Sequence, residues 1–198
     1  VGAGAAGIAT AASLKKRQQH LSVVLIDPAE THYYQPGWTM VGGGVFQAPS
    51  TARSTASVVP KNVVWIQQSV RDFQPDDNVL SLEDGSTVCY EQLVVAPGLT
   101  LDWDGVEGLS ENLGRNGVTS NYAYHTASYT WELVQNLKSG TALFTQPPMP
   151  IKCAGAPQKA LYLSADHWRR QGCLQSIGVE FSARDPMTSS WHPLPGRR

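Results

Sequence analysis

The 198-residue sequence predicts an α/β fold, and three observations support it. Residues 5–19 are rich in alanine and end on a basic cluster, which suits the negative C-terminal end of a helix. Residues 22–26 (SVVLI) form a short β-branched run, which is typical of a strand buried on both faces. Short strands separated by turns follow over residues 63–90 and indicate a small antiparallel insertion.

Each later element is predicted from its local pattern. The Asp84-Gly85 pair supplies hairpin turn chemistry, and Pro157 suits the first position of a helix. Residues 32–44 have no clear period and are predicted to be a functional or packed loop. The predicted strands cover residues 63–66, 69–73, 79–82, 87–90, 93–96, 141–145 and 176–181. The predicted later helices cover residues 125–138, with Trp131, Val134 and Leu137 on one stripe, and 157–171.

Composition excludes several classes of protein. Fifteen Lys and Arg against sixteen Asp and Glu leave a net charge of −1, so no nucleic-acid partner is expected. Hydrophobic residues make up 41% of the chain, as in a globular domain rather than a disordered one. Three cysteines are too few for a disulfide-stapled scaffold, and no apolar run is long enough for a membrane span.

The two ends predict a chain truncated on both sides. The chain opens at Val1 without a methionine, and no apolar strand precedes its first glycine turn. Such a turn forms at the end of a buried strand, so the first strand is expected to be missing. Residues 182–198 lack apolar periodicity and finish on basic residues, and they are expected to be an unmatched tail. An ordinary extended tail is the alternative.

The glycine turn is a dinucleotide-binding fingerprint, Gly2-x-Gly4-x-x-Gly7. The first glycine permits the tight turn, the second lets the backbone approach a pyrophosphate, and the third lets the following helix close onto the sheet. Asp27 follows Gly7 by 20 residues and ends a predicted strand, where a carboxylate can bind ribose hydroxyls. A solvated strand-end aspartate is the alternative. The fingerprint predicts a Rossmann-like domain but does not separate FAD from NAD.

Residues 93–98 (LVVAPG) favour FAD. A buried strand that ends in a small-x-glycine turn at Gly98 resembles the second flavin-contacting segment of two-domain flavoprotein reductases. A strand that meets an ordinary loop is the alternative interpretation.

Cys153 is the candidate nucleophile. It lies in the segment KCAGAPQK, residues 152–159, directly before a predicted helix N-terminus and beside Lys152. The helix dipole and the lysine charges both favour the thiolate, which is the nucleophilic form. A small buried thiol without chemical importance is the alternative. Cys89 and Cys173 are predicted to be structural, and no metal site is expected, since no cysteine or histidine has metal-ligand spacing.

These residues together resemble the sulfide:quinone oxidoreductases, flavoproteins of the two-dinucleotide-domain reductase superfamily. The resemblance runs from residue 1 to about residue 181. The matching stretches are VGAGAAG (1–7), IDPAETHYYQPGWTMVGGG (26–44), RSTASVVP (53–60), LVVAPG (93–98), SNY (120–122) and KCAGAPQK (152–159).

The resemblance implies a role for each matching residue. The turn residues that would line the FAD pyrophosphate are Gly2, Gly4, Ala5, Ala6 and Gly7. Asp27 would bind the ribose, Val70 would offer its backbone to the adenine, and Gln35 and Gly98 would lie near the flavin. Cys153 would be one of two redox cysteines that carry persulfide sulfur, and the second is expected beyond residue 198.

The resemblance also implies an activity, partners and a domain layout. Sulfide would attack a sulfur bridge between the two cysteines, electrons would pass through FAD to quinone, and the extra sulfur would leave to glutathione or sulfite. The expected location is the mitochondrial inner membrane, or the bacterial cytoplasmic membrane, with a C-terminal part as the contact. Residues 1–122 would form the FAD-binding domain, and residues 123–181 the start of a second dinucleotide-binding domain. The 198-residue chain alone is expected to be inactive.

Two other functions remain open from the sequence. One is an NADH:quinone reductase of similar architecture, in which Cys153 would be incidental. The other is a non-catalytic flavin-binding or structural module, which the lack of a second redox cysteine would favour.

Overall fold

The structure, a computed structural model, describes residues 1–147 and 151–183. These residues form two compact units, each built from two stretches of chain. Unit 1 comprises Val1–Tyr34 and Ala52–Asp102, and unit 2 comprises Gln35–Thr51 and the described residues from Trp103 onward. Most of the predicted tail, residues 184–198, lies outside the described residues.

The chain alternates short strands and helices. The helices are α1 Ala5–Arg17, α2 Trp38–Gly42, α3 Thr55–Val58, α4 Leu109–Asn112, α5 Tyr124–Asn136 and α6 Ala156–Arg170. The strands are β1 Val24–Ile26, β2 Thr31–Tyr33, β3 Ala52–Ser54, β4 Val64–Ile66, β5 Val70–Gln74, β6 Val79–Leu82, β7 Thr87–Cys89, β8 Gly140–Gln146 and β9 Ile177–Ala183. Short 3₁₀ turns occupy Gln35–Gly37, Ala48–Thr51 and Leu174–Ser176.

Unit 1 contains a parallel pair, an antiparallel pair and a three-stranded meander. Strands β1 and β4 are parallel and in register from Val24 with Val64, while β2 and β3 run antiparallel. Strands β5, β6 and β7 form the antiparallel insertion, but the prediction is wrong for its first strand, because β4 pairs in parallel with β1 instead of joining the insertion. The Asp84-Gly85 turn is also as predicted, because Gly85 has a positive φ of 85° and the Leu82 N–H donates to the Ser86 carbonyl at 2.9 Å.

The core of unit 1 consists of two apolar clusters. One joins Ala3 and Ala11 to Leu25, so that α1 packs on β1. The other joins Ile26 of β1 to Leu80 and Leu82 of the meander. The two buried residues of β1, Leu25 and Ile26, therefore contact different clusters, as expected for a strand with two covered faces.

Unit 2 contains a two-stranded parallel sheet with helices α5 and α6. Strands β8 and β9 pair over seven residues, from Gly140 with Ile177 onward. The predicted stripe of α5 is confirmed, because Val134 is buried and Trp131 and Leu137 pack partly against the same cluster. Trp168 of α6 is the largest fully buried side chain of that cluster, with 1% of its surface exposed.

The indole of Trp168 also caps a helix end. Its Nε1–H donates to the Val134 carbonyl at 2.8 Å, inside the core. Val134 lies in the last turn of α5, where helix carbonyls lack intrahelical donors. One side chain thus fills the core and satisfies a buried backbone acceptor.

The predicted loop over residues 32–44 is wrong. The segment contains the end of β2, a 3₁₀ turn and helix α2. Tertiary packing accounts for the helix, because Trp38 and Val41 are buried against Ala127 of α5. A five-residue helix is too short to show an apolar period, so the sequence gives no signal for it.

The predicted buried strand over residues 93–96 is also wrong. Within the described part of the chain, Val1 is the one residue to which this segment hydrogen-bonds. The Ala96 N–H donates to the Val1 carbonyl at 2.8 Å, and the Val1 amino group donates to the Val94 carbonyl at 2.7 Å. Val94 and Val95 are 50% and 52% exposed. A single paired residue does not make a ladder, so the run is not a strand.

The compact units do not follow the predicted domain boundary at residue 122. Gln35–Thr51 belongs to unit 2, although the prediction places it in the first domain. Contact-based units and dinucleotide-binding domains are different divisions of a chain, so the boundary stays a prediction. No helix among residues 1–147 and 151–183 is long and apolar enough to cross a membrane.

We predict that Trp168→Phe lowers the free energy of unfolding by about 1–3 kcal/mol, because the Val134 carbonyl stays buried without a donor. Urea unfolding of the 198-residue chain measures the change. The control is Tyr162→Phe on the same helix, where the side chain is 55% exposed. Equal effects of both substitutions would contradict the capping role.

Candidate functional site

The glycine turn of unit 1 is formed by backbone atoms in close contact. Gly2 has a φ of 93°, and a Cβ at this position would collide with the Ala96 carbonyl. A Cβ at Gly7 would collide with the Gly2 carbonyl and would meet Leu25 Cδ2 at 3.6 Å. Only glycine allows both approaches, so the first and third glycines do what the fingerprint predicts.

Asp27 anchors this turn through its side chain. Its Oδ2 accepts from the Ala3 N–H at 2.6 Å, and its Oδ1 accepts from the Ala29 N–H at 2.8 Å. The predicted ribose contact remains compatible with this arrangement, because a carboxylate can accept about four hydrogen bonds. The sequence did not reveal the anchoring contact to Ala3.

The N-terminus of α1 is open. Gly4, Ala5 and Ala6 are exposed, and no side chain of the described residues caps the helix at Gly4. A Cβ built on Gly4 would meet no atom of the described part within 4 Å. Free N–H groups at the positive end of a 13-residue helix suit a phosphate group, so the residues fit a dinucleotide pyrophosphate.

His32 and Trp65 complete the surroundings of the turn, and sequence reasoning missed both roles. His32 Nδ1 lies 3.2 Å from the Ala3 carbonyl, and the Trp65 indole N–H donates to the Asp27 carbonyl at 2.9 Å. Trp65 also lines an open cleft of about 550 Å³ in unit 1, together with Glu30, Arg53 and others. No spacing rule links these residues to the glycines.

The two remaining predicted FAD residues of unit 1 are Val70 and Gly98. Val70 is the first residue of β5, and its side chain packs partly against the cluster of Ile26, Leu80 and Leu82. Gly98 is exposed and has a left-handed backbone, with a φ of 86°. Their contacts with a dinucleotide stay predictions.

Cys153 of unit 2 lies on an exposed turn directly before α6. Its φ of 58° places a residue other than glycine in the left-handed region, which costs about 1–2 kcal/mol. The Cys153 carbonyl accepts from the Ala156 N–H at 2.8 Å, which closes the turn onto the helix. Strain of this kind persists only where surrounding contacts hold it.

Three side chains surround the turn. The Tyr122 hydroxyl donates to the Lys152 carbonyl at 2.7 Å and lies 3.3 Å from the Cys153 carbonyl. The Lys152 ammonium donates to Gln35 Oε1. Gln35 Nε2 in turn donates to the Tyr122 carbonyl at 3.4 Å. Gln35 was predicted from the sequence only as a flavin contact, and Tyr122 had no assigned role.

Two groups at this turn have shifted pKa values. Partial burial raises the pKa of the Tyr122 hydroxyl, and the negative charge of the Cys153 thiolate raises it further. Burial lowers the pKa of the Lys152 ammonium, while the Cys153 charge partly offsets that effect. The hydroxyl therefore stays a hydrogen-bond donor through the neutral range, and both groups sense the charge on Cys153.

The other cysteines differ from Cys153. Cys173 is half-buried in the cluster of Trp168, as predicted for a structural residue, with its Sγ 3.7 Å from the Trp168 carbonyl. Cys89 is exposed on β7, so packing does not account for it. Within the described ranges no group of three or more potential ligands could hold a metal ion.

Residues 1–137 match the family model described as pyridine nucleotide-disulphide oxidoreductase. Because the match covers more than half of the chain, the chain belongs to this family of dinucleotide-binding proteins. The predicted α/β fold with a Rossmann-like domain is confirmed.

Within this family, the chain is similar to sulfide:quinone oxidoreductases from several organisms. Mitochondrial sulfide:quinone oxidoreductases from Dictyostelium discoideum and Mus musculus are each 42% identical to this chain, over 92% of its length. The crystal structure of the sulfide:quinone oxidoreductase from Aquifex aeolicus has a TM-score of 0.75 and 25% identity, over 92% of this chain and 42% of that chain. The chain spans 41% and 40% of the two curated relatives. The resemblance predicted from the motifs is confirmed.

We predict that Asp27→Ala lowers the free energy of unfolding by about 1–3 kcal/mol, because the buried Ala3 N–H loses its acceptor. Asp77→Ala removes the same charge from an exposed position between β5 and β6 and should change stability by less than about 0.5 kcal/mol. Urea unfolding compares the two. A loss at Asp27 no larger than that at Asp77 would show that the anchor is unimportant.

We predict that Cys153→Gly is more stable than Cys153→Ala by about 1 kcal/mol, because glycine adopts the left-handed conformation without strain. The same pair at Cys89, in strand β7, should show the opposite order by about 0.5–1 kcal/mol. Thermal or urea unfolding of the four variants measures both differences. Alanine as the more stable residue at both positions would refute backbone strain at Cys153.

Proposed function

We propose that the protein of which these residues form a part oxidises sulfide, with FAD as its cofactor and quinone as the electron acceptor. The observation that carries the proposal is Cys153, an exposed thiol held in a left-handed turn directly before a helix. The 42% identity to mitochondrial sulfide:quinone oxidoreductases supports the same activity. Glycine would suit this backbone better, so the thiol itself accounts for a cysteine here.

FAD fits the glycine turn of unit 1. Gly4, Ala5 and Ala6 would offer exposed backbone N–H groups to its pyrophosphate, and Asp27 has acceptor capacity left for a ribose hydroxyl. The carboxylate disfavours a 2′-phosphate, which argues against NADP at this turn. FAD supplies a two-electron carrier between the sulfur centre and quinone.

Cys153 would act in a sulfur bridge with a second cysteine of the protein. Sulfide attacks one bridge sulfur, so one cysteine becomes a persulfide and the other leaves as a thiolate. A thiol or sulfite acceptor then removes the outer sulfur, which leaves a second thiolate. Re-forming the bridge from the two thiolates would release two electrons, and FAD held at the glycine turn would supply the carrier that passes them to quinone. The proposed acceptors are glutathione and sulfite.

The Cys153 turn has features that suit the thiolate stage of this cycle. The ammonium group of Lys152 interacts with the charge on Cys153, and the thiol precedes the positive end of the 15-residue helix α6. Exposure of the cysteine leaves it open to attack.

The names of two relatives support a proposed location. The Dictyostelium and mouse proteins are named mitochondrial. We therefore place this protein in mitochondria, at the inner membrane where quinone is available, with the membrane contact supplied outside residues 1–198.

The test uses the full-length protein that contains this chain, purified with FAD and mixed with sulfide, and with sulfite as the sulfur acceptor, without oxygen. We predict that sulfide bleaches the visible flavin absorbance and that Cys153→Ser slows this reaction by about 10³-fold or more. Cys89→Ser makes the same chemical change at an exposed thiol of unit 1 and should leave the rate unchanged.

Two outcomes would overturn the proposal. Undiminished bleaching in Cys153→Ser would remove Cys153 from the reaction. Bleaching by NADH but not by sulfide would identify a reductase of another type.

A further inference from the structure

Three distant segments of unit 2 meet beside Cys153. Gln35 begins a 3₁₀ turn, Tyr122 lies just before α5, and Lys152 directly precedes Cys153. Gln35 and Tyr122 are 87 positions apart in sequence, and Tyr122 and Lys152 are 30 apart. Contacts between such distant positions form only when the unit is folded.

Their hydrogen bonds close a ring. The Tyr122 hydroxyl donates to the Lys152 carbonyl, the Lys152 ammonium donates to Gln35 Oε1, and Gln35 Nε2 donates to the Tyr122 carbonyl. Both ends of the Gln35 amide are therefore used inside the protein. We call these three residues the Tyr122 ring.

The ring acts on the backbone of Cys153. The Tyr122 hydroxyl lies within 2.7 Å of one carbonyl and 3.3 Å of the next, so the carbonyls of Lys152 and Cys153 converge on a single oxygen. Convergence of two successive carbonyls requires a sharply turned backbone, and Cys153 has the left-handed φ that provides it. The contact thus offsets a conformation that costs about 1–2 kcal/mol.

We propose that Tyr122 is a positioning residue that holds Cys153 in its left-handed turn, with the thiol exposed before α6, and that Gln35 and Lys152 fix Tyr122 in place. The inference rests on the proposed function only for the use made of Cys153. Gln35 reaches the cysteine through Tyr122 and Lys152, so its effect is indirect. The shape of the turn and the reactivity of its thiol can be measured whether or not the protein oxidises sulfide.

The inference assigns different consequences to two tyrosines of unit 2. Tyr122→Phe removes the hydroxyl that binds the Cys153 turn. Tyr129→Phe also removes a hydroxyl bonded to backbone, because Tyr129 Oη accepts from the Gly117 N–H at 3.1 Å, but it leaves the cysteine turn intact. Tyr129→Phe is therefore a matched control.

The experiment measures alkylation of Cys153 by iodoacetamide in the 198-residue chain, from pH 6 to pH 10. Mass spectrometry follows the peptides of Cys153 and Cys89 separately, so the exposed Cys89 is an internal reference. We predict that Tyr122→Phe slows alkylation of Cys153 by about 3–10-fold near neutral pH, because the released turn no longer holds the exposed thiol in one position before α6 and near the charge of Lys152. The alkylation rate of Cys89 should be unchanged in Tyr122→Phe. In Tyr129→Phe, Cys153 and Cys89 should both be alkylated at the rates of the parent chain.

An alkylation rate of Cys153 within twofold of the parent in Tyr122→Phe would overturn the proposal, as would equal slowing of Cys153 in Tyr129→Phe. Circular dichroism checks that each variant is folded. Should Tyr122→Phe fail to fold, Gln35→Leu opens the ring from its far side and should slow Cys153 at least twofold; an unchanged rate there would also overturn the proposal.

Alkylation requires neither sulfide nor FAD. A full-length protein that does not oxidise sulfide would therefore remove the proposed function and leave the ring intact. Normal sulfide oxidation by the full-length protein, together with unchanged alkylation in Tyr122→Phe, would support the proposed function and remove the positioning role of Tyr122.

Discussion

The contact between the Gly2 carbonyl and Gly7 is the constraint on which unit 1 depends. It sets how closely α1 approaches the start of the chain, and so how Ala11 reaches Leu25 in the core. The same closeness leaves the helix N-terminus uncovered at Gly4. Asp27 secures the turn from the end of β1 by binding the Ala3 N–H. The close packing of α1 on the start of the chain thus depends on the absence of side chains at two glycines, Gly2 and Gly7.

Unit 2 depends on a different kind of contact at Cys153, the residue proposed to carry the sulfur chemistry. Cys153 occupies a backbone conformation that few residues adopt, and hydrogen bonds from elsewhere in the unit hold it there. The contacts of Tyr122 use backbone carbonyls, so they fix the turn without blocking the exposed sulfur. The proposed sulfur chemistry would use this thiol in every cycle, and a turn with a fixed shape suits that use because the cost of ordering it is met during folding.

The sequence predicted those features whose cause is local. The glycine turn, the helix that follows it and the Asp84-Gly85 hairpin depend on neighbouring residues, and the structure has them all. The strand expected at residues 93–96 failed because its status depends on the neighbour available for pairing. The Tyr122 ring could not be predicted, since its members are joined only by tertiary structure. The sequence resemblance singled out Cys153 and Gln35 as candidate site residues. It gave no sign that Tyr122 connects them by hydrogen bonds.

The most direct test of the account is the state of Cys153 in the full-length protein as isolated in air. Peptide mapping without reduction should find the Cys153 peptide joined through sulfur to a cysteine peptide from outside residues 1–198, and sulfide should release it. Cys89 should be found as a free thiol in the same map. A Cys153 that is a free thiol in fully oxidised protein, and that sulfide leaves unchanged, would contradict the central claim that this residue carries the sulfur chemistry.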